Sequence, residues 1–193
     1  MLYLRLSAAI LLLNFARHSL GFLMGNGSCP TNMTSIGNLD LNRYLGKWYV
    51  QAMYPLQTKR LPKCKSMNFV KIDNRYYIET IELDRSNIGL TKRYMSLQRF
   101  DTNKGAYFIN QYKRTFPRGV DINILNTDYD NYMIEYMCIN SAAVFNMQWA
   151  IVGTRTRGAS SEVLYDARDA ALKAGLDVKP LVQVQQDSCP LDT

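Results

Sequence analysis

Short runs of alternating apolar and polar residues recur along most of the chain. Each run is rich in aromatic and β-branched residues, and turn signals such as Asp73-Asn74 and Asn103-Lys104-Gly105 separate the runs. Such alternation is typical of strands with one buried face. Eight strands are predicted: Trp48–Tyr54, Ser66–Ile72, Tyr76–Leu83, Thr91–Phe100, Ala106–Lys113, Val120–Asn126, Tyr132–Ile139 and Met147–Thr154. Because no helical segment separates them, the pattern predicts an antiparallel sandwich or barrel.

One helix is predicted after the last strand. Ser160 is a suitable N-cap and Gly175 a natural C-terminal stop. An apolar stripe of mostly small residues lies between them at helical spacing: Val163, Ala167, Ala170, Ala171 and Ala174. We therefore expect this helix to lie against the outside of the sheet. The segment 38–44 is predicted as a short turn or 3₁₀ element, and the tail from Asp177 as extended.

The first 21 residues have the pattern of a secretory signal peptide. Arg5 precedes an apolar run, Leu6 to Leu13, that is too short to span a bilayer. Small residues follow, and the sequence leaves the cleavage point open between positions 16 and 28. A buried N-terminal helix or a membrane anchor is the alternative. We expect a secreted, extracellular protein whose single domain spans residues 29–190.

Removal of such a leader would also remove the one histidine, His18. A Ser-His-Asp triad, a Cys-His pair and histidine-based metal sites would then be excluded. The chain carries a formal net charge of +7, and two of its positive charges, Arg5 and Arg17, lie in or beside the leader. No nucleic-acid-binding motif accompanies this charge, so we expect no nucleic-acid partner.

Four cysteines remain after the leader: Cys29, Cys64, Cys138 and Cys189. An even number in a secreted chain indicates two disulfides, and three pairings are possible. Because no two of these cysteines are close neighbours, the spacing fits no zinc pattern and we predict no metal site. Two glycosylation sequons, at Asn26 and Asn32, also fit secretion.

Three signatures occur in order along the predicted strands. Gly46 and Trp48 form a Gly-x-Trp at the first strand, Thr127-Asp128-Tyr129 lies between the sixth and seventh, and Arg155 closes the eighth. Together they resemble the lipocalin family. The pairs Cys29-Pro30 and Cys189-Pro190, with the run from Asn126 to Tyr132, resemble its branch of apolipoprotein D, bilin-binding protein and insecticyanin.

The resemblance implies an all-β fold, an eight-stranded antiparallel up-and-down barrel with one C-terminal helix packed outside it. It also implies the disulfides Cys29–Cys138 and Cys64–Cys189, each closing a long loop and each worth about 4–5 kcal/mol in the chain-entropy model. Trp48 is expected to plug the closed end of the barrel, with Arg155 lying across the indole. These signature residues are expected to be structural.

Strand alternation predicts which side chains face the interior. Trp48 and Arg155 anchor the first and eighth strands, and Cys138 anchors the seventh because it should point outward if it ties down the N-terminal segment. Val50, Ala52, Glu135 and Gly153 are placed inward, and an inward carboxylate at Glu135 requires a partner because burial of a charge is costly. The predicted ligand-binding residues are Tyr44, Met67, Phe69, Tyr76, Ile78, Thr80, Phe108, Tyr112, Met133, Met137, Trp149 and Ile151, with Asn110 also inward. This lining suits a flat or elongated apolar ligand. A β-bulge would reverse any of these sets.

Basic residues concentrate in the loops that the resemblance places at the open end. They are Lys59, Arg60, Lys63, Lys65, Arg85, Lys92, Arg93, Lys113, Arg114 and Arg118, against the single acid Asp84. Such a mouth would attract acidic amphiphiles or anionic lipid, unless the charges are merely dispersed over the surface. The apolar loop 140–146, which contains Phe145, would allow transient membrane contact.

The predicted function is that of a secreted carrier that binds a small hydrophobic ligand (a lipid, fatty acid, sterol, retinoid or bilin) inside the barrel. A bilin pigment protein is one alternative, and a protein-binding inhibitor or scavenger that acts through its loops is another. No enzymatic activity is expected, since two disulfides leave no free thiol in the barrel. No cofactor is required, although a bilin or lipid could be bound, and the sequence leaves the oligomeric state open.

Overall fold

The computed structural model describes residues 23–55, 62–83, 89–109, 119–141 and 144–190. Within these ranges the first half of the chain forms β1 (Leu23–Asn26), α1 (Leu41–Tyr44), β2 (Gly46–Met53), β3 (Ser66–Ile72), β4 (Arg75–Leu83) and β5 (Leu90–Asp101). The second half forms β6 (Ala106–Ile109), β7 (Val120–Thr127), β8 (Tyr132–Ser141), β9 (Phe145–Thr154), α2 (Ser161–Lys173) and β10 (Val182–Gln183). None of the helices in these ranges is long and apolar enough to cross a membrane.

Strands β2 to β9 form a closed antiparallel barrel. Each strand pairs with the next, and β9 returns to pair with β2 through Tyr49–Thr154 and Val50–Gly153. Closure leaves no barrel strand with an unpaired edge along this seam. The predicted eight-stranded barrel is confirmed, with strand ends that differ by a few residues from those expected.

Two short strands extend the sheet beyond the eight predicted ones. β1 pairs with the first half of β9, and β10 pairs with the end of β2. The disulfides hold the segments that carry them: Cys29–Cys138 joins the N-terminal segment to β8, and Cys64–Cys189 joins the C-terminal tail to the segment before β3. Both implied pairings are confirmed.

The helix packs against the outside of the barrel, as the small-residue stripe predicted. The Ser160 side chain caps it by accepting a hydrogen bond from the Val163 backbone N–H at 3.3 Å. Ala167 and Ala171 are fully buried against the outer face of β7, β8 and β9, where Ile134 and Val152 also pack. Small side chains let the helix approach the strands closely, so the outer layer adds a second apolar cluster outside the barrel.

The closed end is held by the turn that contains Thr127, Asp128 and Tyr129. The Thr127 hydroxyl donates to the Tyr132 carbonyl at 2.6 Å and accepts from the Tyr129 N–H at 2.9 Å. Burial tends to raise the pKa of Asp128, but hydrogen bonds from the Tyr132 N–H and from Asn131 and Asp130 outweigh it and lower that pKa. The hydrogen bonds of this turn therefore fix the direction in which the chain enters β8.

The structure corrects two expectations about which side chains face inward. A register shift between Val50 and Ala52 in β2 places Ala52 on the outer face and Met53 inside. Phe108 was predicted inside, yet its ring lies on the outer face beneath the Arg99 guanidinium. Regular alternation along β6 places Tyr107 and Ile109 inside, so Phe108 between them faces outward, opposite Arg99 of β5.

Several sequence predictions fall outside the described residues. These are the leader 1–21 with His18, the inward positions Asn110 and Tyr112, and the loop residues Lys59, Arg60, Asp84, Arg85, Lys113, Arg114 and Arg118.

Candidate functional site: the barrel interior

The floor of the barrel is a chain of aromatic rings. Trp48 is fully buried, and its ring centroid lies 5.7 Å from that of Tyr44. Phe69 then contacts Tyr44 edge-on at 5.2 Å and Tyr107 at 5.6 Å. Such tilted and edge-to-face pairs are the favoured aromatic geometries. The rings close the narrow end of the barrel and give the interior a rigid base.

Arg155 seals this floor from outside. Its guanidinium lies 3.5 Å from the Trp48 ring centroid. The same group donates to the carbonyls of Tyr129 at 2.9 Å and Lys47 at 3.2 Å. The Trp48 indole N–H in turn donates to the Tyr44 carbonyl at 2.9 Å. Trp48 and Arg155 thus have the contacts that the resemblance implied.

One carboxyl group lies inside this apolar floor. Glu135 is fully buried on β8, where its side chain faces the interior. The Tyr44 hydroxyl donates to one carboxylate oxygen at 2.7 Å, and the Tyr107 hydroxyl donates to the other at 2.9 Å. No cation among the described residues lies within ion-pair distance of it. The partner required by an inward Glu135 is therefore a pair of tyrosines.

Burial dominates the acid–base behaviour of this group. Desolvation raises the pKa of Glu135 to about 7, although the hydrogen bonds from Tyr44 and Tyr107 oppose the shift. Burial, followed by the charge of Glu135, raises the pKa of Tyr44 well above its usual range. The floor therefore changes charge near neutral pH through Glu135, while Tyr44 remains a hydroxyl donor.

Exposure of the inward side chains increases from the floor to the mouth. Along β8, Glu135 is fully buried, Met137 is 3% exposed and Ile139 is only partly buried. Along β9, Ile151 is fully buried, whereas Trp149 and Met147 are only partly buried. The upper half of the interior is thus the part that an incoming molecule contacts first.

Methionine is the commonest flexible residue of this interior. Six of the nine methionines pack in or against the inner cluster: Met53, Met67, Met95, Met133, Met137 and Met147. Their unbranched thioether side chains adapt to irregular shapes and make favourable contacts with aromatic rings. The lining is therefore apolar and can adapt to ligands of different shape.

A charged group of three side chains lies where this interior meets the mouth. The Lys65 ammonium is 3.1 Å from one carboxylate oxygen of Glu82, and the Arg93 guanidinium is 3.2 Å from the other. Glu82 follows the inward Ile78 and Thr80 at alternate positions of β4, and Arg93 pairs in register with Thr80. We call this group the rim triad. The rim triad makes the mouth less positively charged than expected, because Glu82 pairs with two of the predicted cations, Lys65 and Arg93.

Most predicted lining residues are brought together by the fold. The inner cluster contains Tyr44, Met67, Phe69, Tyr76, Ile78, Met133, Met137, Trp149 and Ile151. Thr80 lies on the same face in the upper half, whereas Tyr76 lies near the closed end and contacts Phe100 at 5.6 Å between ring centroids. Phe108 is excluded from the interior, as described above.

Tyr107 is the site residue that the sequence prediction missed. It is 2% exposed, binds Glu135 and joins two other rings of the floor. Alternation along β6 could not select it, since Tyr107, Phe108 and Ile109 are all apolar enough to be buried. Tyr107 pairs in register with Ile122 of β7, which belongs to the inner cluster, so the facing of β7 would have identified Tyr107 as inward.

The described residues contain no group of three His, Cys, Asp or Glu side chains that could hold a metal ion. All four cysteines are in disulfides. What the interior does offer is apolar surface with two polar features, the Glu135 floor group and the rim triad.

Comparison with protein-family models places this interior in a known family. The model of the lipocalin and cytosolic fatty-acid binding protein family matches residues 45–187, which include every strand of the barrel. The chain is a lipocalin. The lipocalin is 26% identical to apolipoprotein D of Cavia porcellus over 165 residues, which cover 85% of each chain.

One further relative supports the branch suggested by the sequence, and one solved structure has a similar fold. The lipocalin is 27% identical to the bilin-binding protein of Pieris brassicae over 126 residues, covering 58% of this chain and 59% of that one. Its fold is similar to insecticyanin of Manduca sexta, with a TM-score of 0.68 at 18% identity, over 86% of this chain and 89% of that one. The structural likeness shows the shared fold.

Proposed function

We propose that this lipocalin is a secreted carrier that binds a small hydrophobic ligand in the upper half of its barrel. The observation that supports this most is the rise in exposure along β8 and β9, from buried Glu135 and Ile151 to partly exposed Ile139, Met147 and Trp149. A barrel of eight strands encloses room for side chains or for one small ligand. Adaptable methionines suit a ligand held by contact area.

The proposed mechanism is binding without turnover. Both disulfides use up the thiols, and the buried carboxyl at Glu135 is bonded to two tyrosines at the floor rather than exposed in the upper barrel. Secretion is supported by the signal-like leader and by two disulfides, which form and persist in oxidising compartments. Asn26 and Asn32 are both exposed, as glycan acceptors must be.

Native mass spectrometry of the protein purified from its source, followed by solvent extraction, tests this proposal. The expected result is a complex with one small apolar molecule that is released on unfolding. A protein that carries no such molecule, and that binds none from a panel of lipids, sterols and retinoids, would contradict it.

A bilin is the second candidate ligand, because one relative is named as a bilin-binding protein. The purified native protein would then absorb visible light, and the colour would be lost on extraction. A colourless protein with a lipid bound would support the carrier function and would rule out the function of a bilin pigment protein.

Contact with a membrane or a protein partner through the mouth is a further proposal. Val144, beside the loop between β8 and β9, is 70% exposed, and Met24 of the adjoining β1 is 44% exposed. Binding to vesicles of anionic lipid that falls with salt and with Val144→Asp would support membrane contact. Binding insensitive to both changes would contradict it, whereas a ligand-free barrel that captures a protein would favour the inhibitor alternative.

A further inference from the structure

The two polar features of the interior carry opposite charge and lie at opposite ends. Glu135 at the floor is a buried acid bonded to Tyr44 and Tyr107, without a cation among the described residues. The rim triad at the mouth holds two cations on one acid. In an apolar interior, charges act over longer distances than in water because little solvent screens them. The barrel is therefore electrically asymmetric along its axis.

The floor is a poor place for an anionic head group. Both tyrosine protons already point at the Glu135 carboxylate, so the floor would present oxygen lone pairs and negative charge to an incoming carboxylate. Like charges brought together in a desolvated site repel strongly. An acidic ligand would thus enter with its apolar part first.

The rim offers the complementary environment. The Lys65 side chain is 15% exposed and Glu82 is 19% exposed, so the core of the triad is partly desolvated, while Arg93 is 66% exposed and reaches toward solvent. Arg93 presents several N–H donors in a planar fork, which matches the geometry of a carboxylate. With two cations and one acid, the triad carries net positive charge that an anion can offset.

We propose that Lys65 and Arg93 form the subsite for the anionic head group of the ligand, which lies at the mouth with its apolar part toward the aromatic floor. This inference rests on the proposed carrier function and narrows its ligand to acidic amphiphiles. Glu82 both positions the two cations and competes with the ligand head group for them.

All-trans retinoic acid and all-trans retinol are suitable probes, because they share one apolar skeleton and differ in the head group. Quenching of tryptophan fluorescence reports their binding, since Trp48 and Trp149 both lie in the interior. The titrations use the whole mature protein at pH 8, where the carboxylic acid probe is ionised.

Arg93→Gln should weaken binding of retinoic acid roughly three- to tenfold, and Glu82→Gln should strengthen it by a similar factor. Binding of retinol should change little in either variant. Arg99→Gln is the matched control. Arg99 lies on the same strand as Arg93, but its guanidinium pairs with the Asp121 carboxylate at 3.2 Å on the outer face. Its replacement should change the affinity for neither retinoic acid nor retinol.

The possible failures are distinguishable. If both retinoids bind but neither Arg93→Gln nor Glu82→Gln changes the affinity for retinoic acid, the subsite is wrong and the carrier function stands. If Glu135→Gln rather than Arg93→Gln changes that affinity, the head group lies at the floor and the proposal is also wrong. If neither retinoid binds to any form of the protein, the proposed function fails and the inference fails with it.

Discussion

The Arg155 guanidinium lies 3.5 Å from the Trp48 ring centroid and donates to backbone carbonyls on two sides of it. One side chain thus joins the end of β9 to the start of β2 and to the turn before β8. Because the contact combines a cation–π interaction with charge-assisted hydrogen bonds, it closes the barrel floor more firmly than either interaction alone.

Replacement of Arg155 by Met should therefore destabilise the fold by about 3 kcal/mol, since it removes the cation and leaves several carbonyls without a donor. Urea unfolding with the disulfides intact measures the change. Arg157→Met is the control: Arg157 lies 4.6 Å over the Tyr49 ring outside the floor and donates to one side-chain oxygen of Gln186 at 2.8 Å, and its loss should cost less, about 1–2 kcal/mol. Equal losses in the two variants would show that Arg155 has no special role in closing the barrel.

Glu135 should make stability depend on pH. Its pKa in the fold is raised to about 7, from 4.5 in the unfolded chain. Between these values the folded protein retains a proton that the unfolded chain releases, so the stabilisation present below the lower pKa is lost as pH rises through the higher one. The total loss is about 3 kcal/mol.

Comparison with Glu135→Gln isolates this contribution. The unfolding free energy of the natural protein, relative to that of the variant, should fall by about 3 kcal/mol between pH 4.5 and pH 8. Other titrating groups cancel in this difference. A difference that stays constant over the range would mean that Glu135 has the same pKa in the folded and the unfolded chain, and would contradict the shift.

The small residues beneath α2 should not tolerate enlargement. Ala171 is fully buried between the helix and the barrel, so Ala171→Leu would overpack the site and cost about 1–3 kcal/mol. Its neighbour Leu172 is 51% exposed, and Leu172→Ala should change stability by less than about 0.5 kcal/mol. Thermal unfolding of the two variants measures both effects, and an unaffected melting temperature for Ala171→Leu would place the helix farther from the barrel.

The two disulfides should stabilise the fold to similar extents. They join residues 109 and 125 positions apart, and the entropic cost of loop closure grows only slowly with length. Replacing either pair by alanine should cost about 4 kcal/mol in urea unfolding. A loss confined to one bridge would show that the other segment is held by its strand and hydrogen bonds alone.

The sequence predicted the architecture well because each signature has a local physical cause. Alternation marks the eight strands, the small-residue stripe marks α2, and Thr127, Asp128 and Tyr129 supply hydrogen bonds that fix one turn. The inward face can be predicted where an anchor residue shows which side of the strand is covered and no bulge intervenes. On β8 the anchor is Cys138, which points outward if it ties down the N-terminal segment, and this places Met133 and Met137 inward, where the structure has them.

The two errors in facing have different origins. In β2 a single extra residue reverses the side chains from Ala52 onward, and nothing in the residues around Ala52 marks the reversal. In β6 the three apolar residues Tyr107, Phe108 and Ile109 are all suited to burial, so the sequence does not decide which face points inward. Glu135 shows a different limit. Alternation placed it inward, but its partners Tyr44 and Tyr107 lie on distant segments that only the closed barrel brings together.

Binding inside the barrel is tested most directly by NMR of the protein labelled with ¹³C at its methionine methyl groups. Met53, Met67, Met95, Met133, Met137 and Met147 belong to the interior, whereas Met24 and Met33 lie outside it. Addition of a bound apolar ligand should shift the signals of the interior methionines nearest the mouth, Met95 and Met147 among them, and leave Met24 and Met33 unchanged. Shifts confined to Met24 or Met33, with the interior signals unmoved at saturating ligand, would contradict the account.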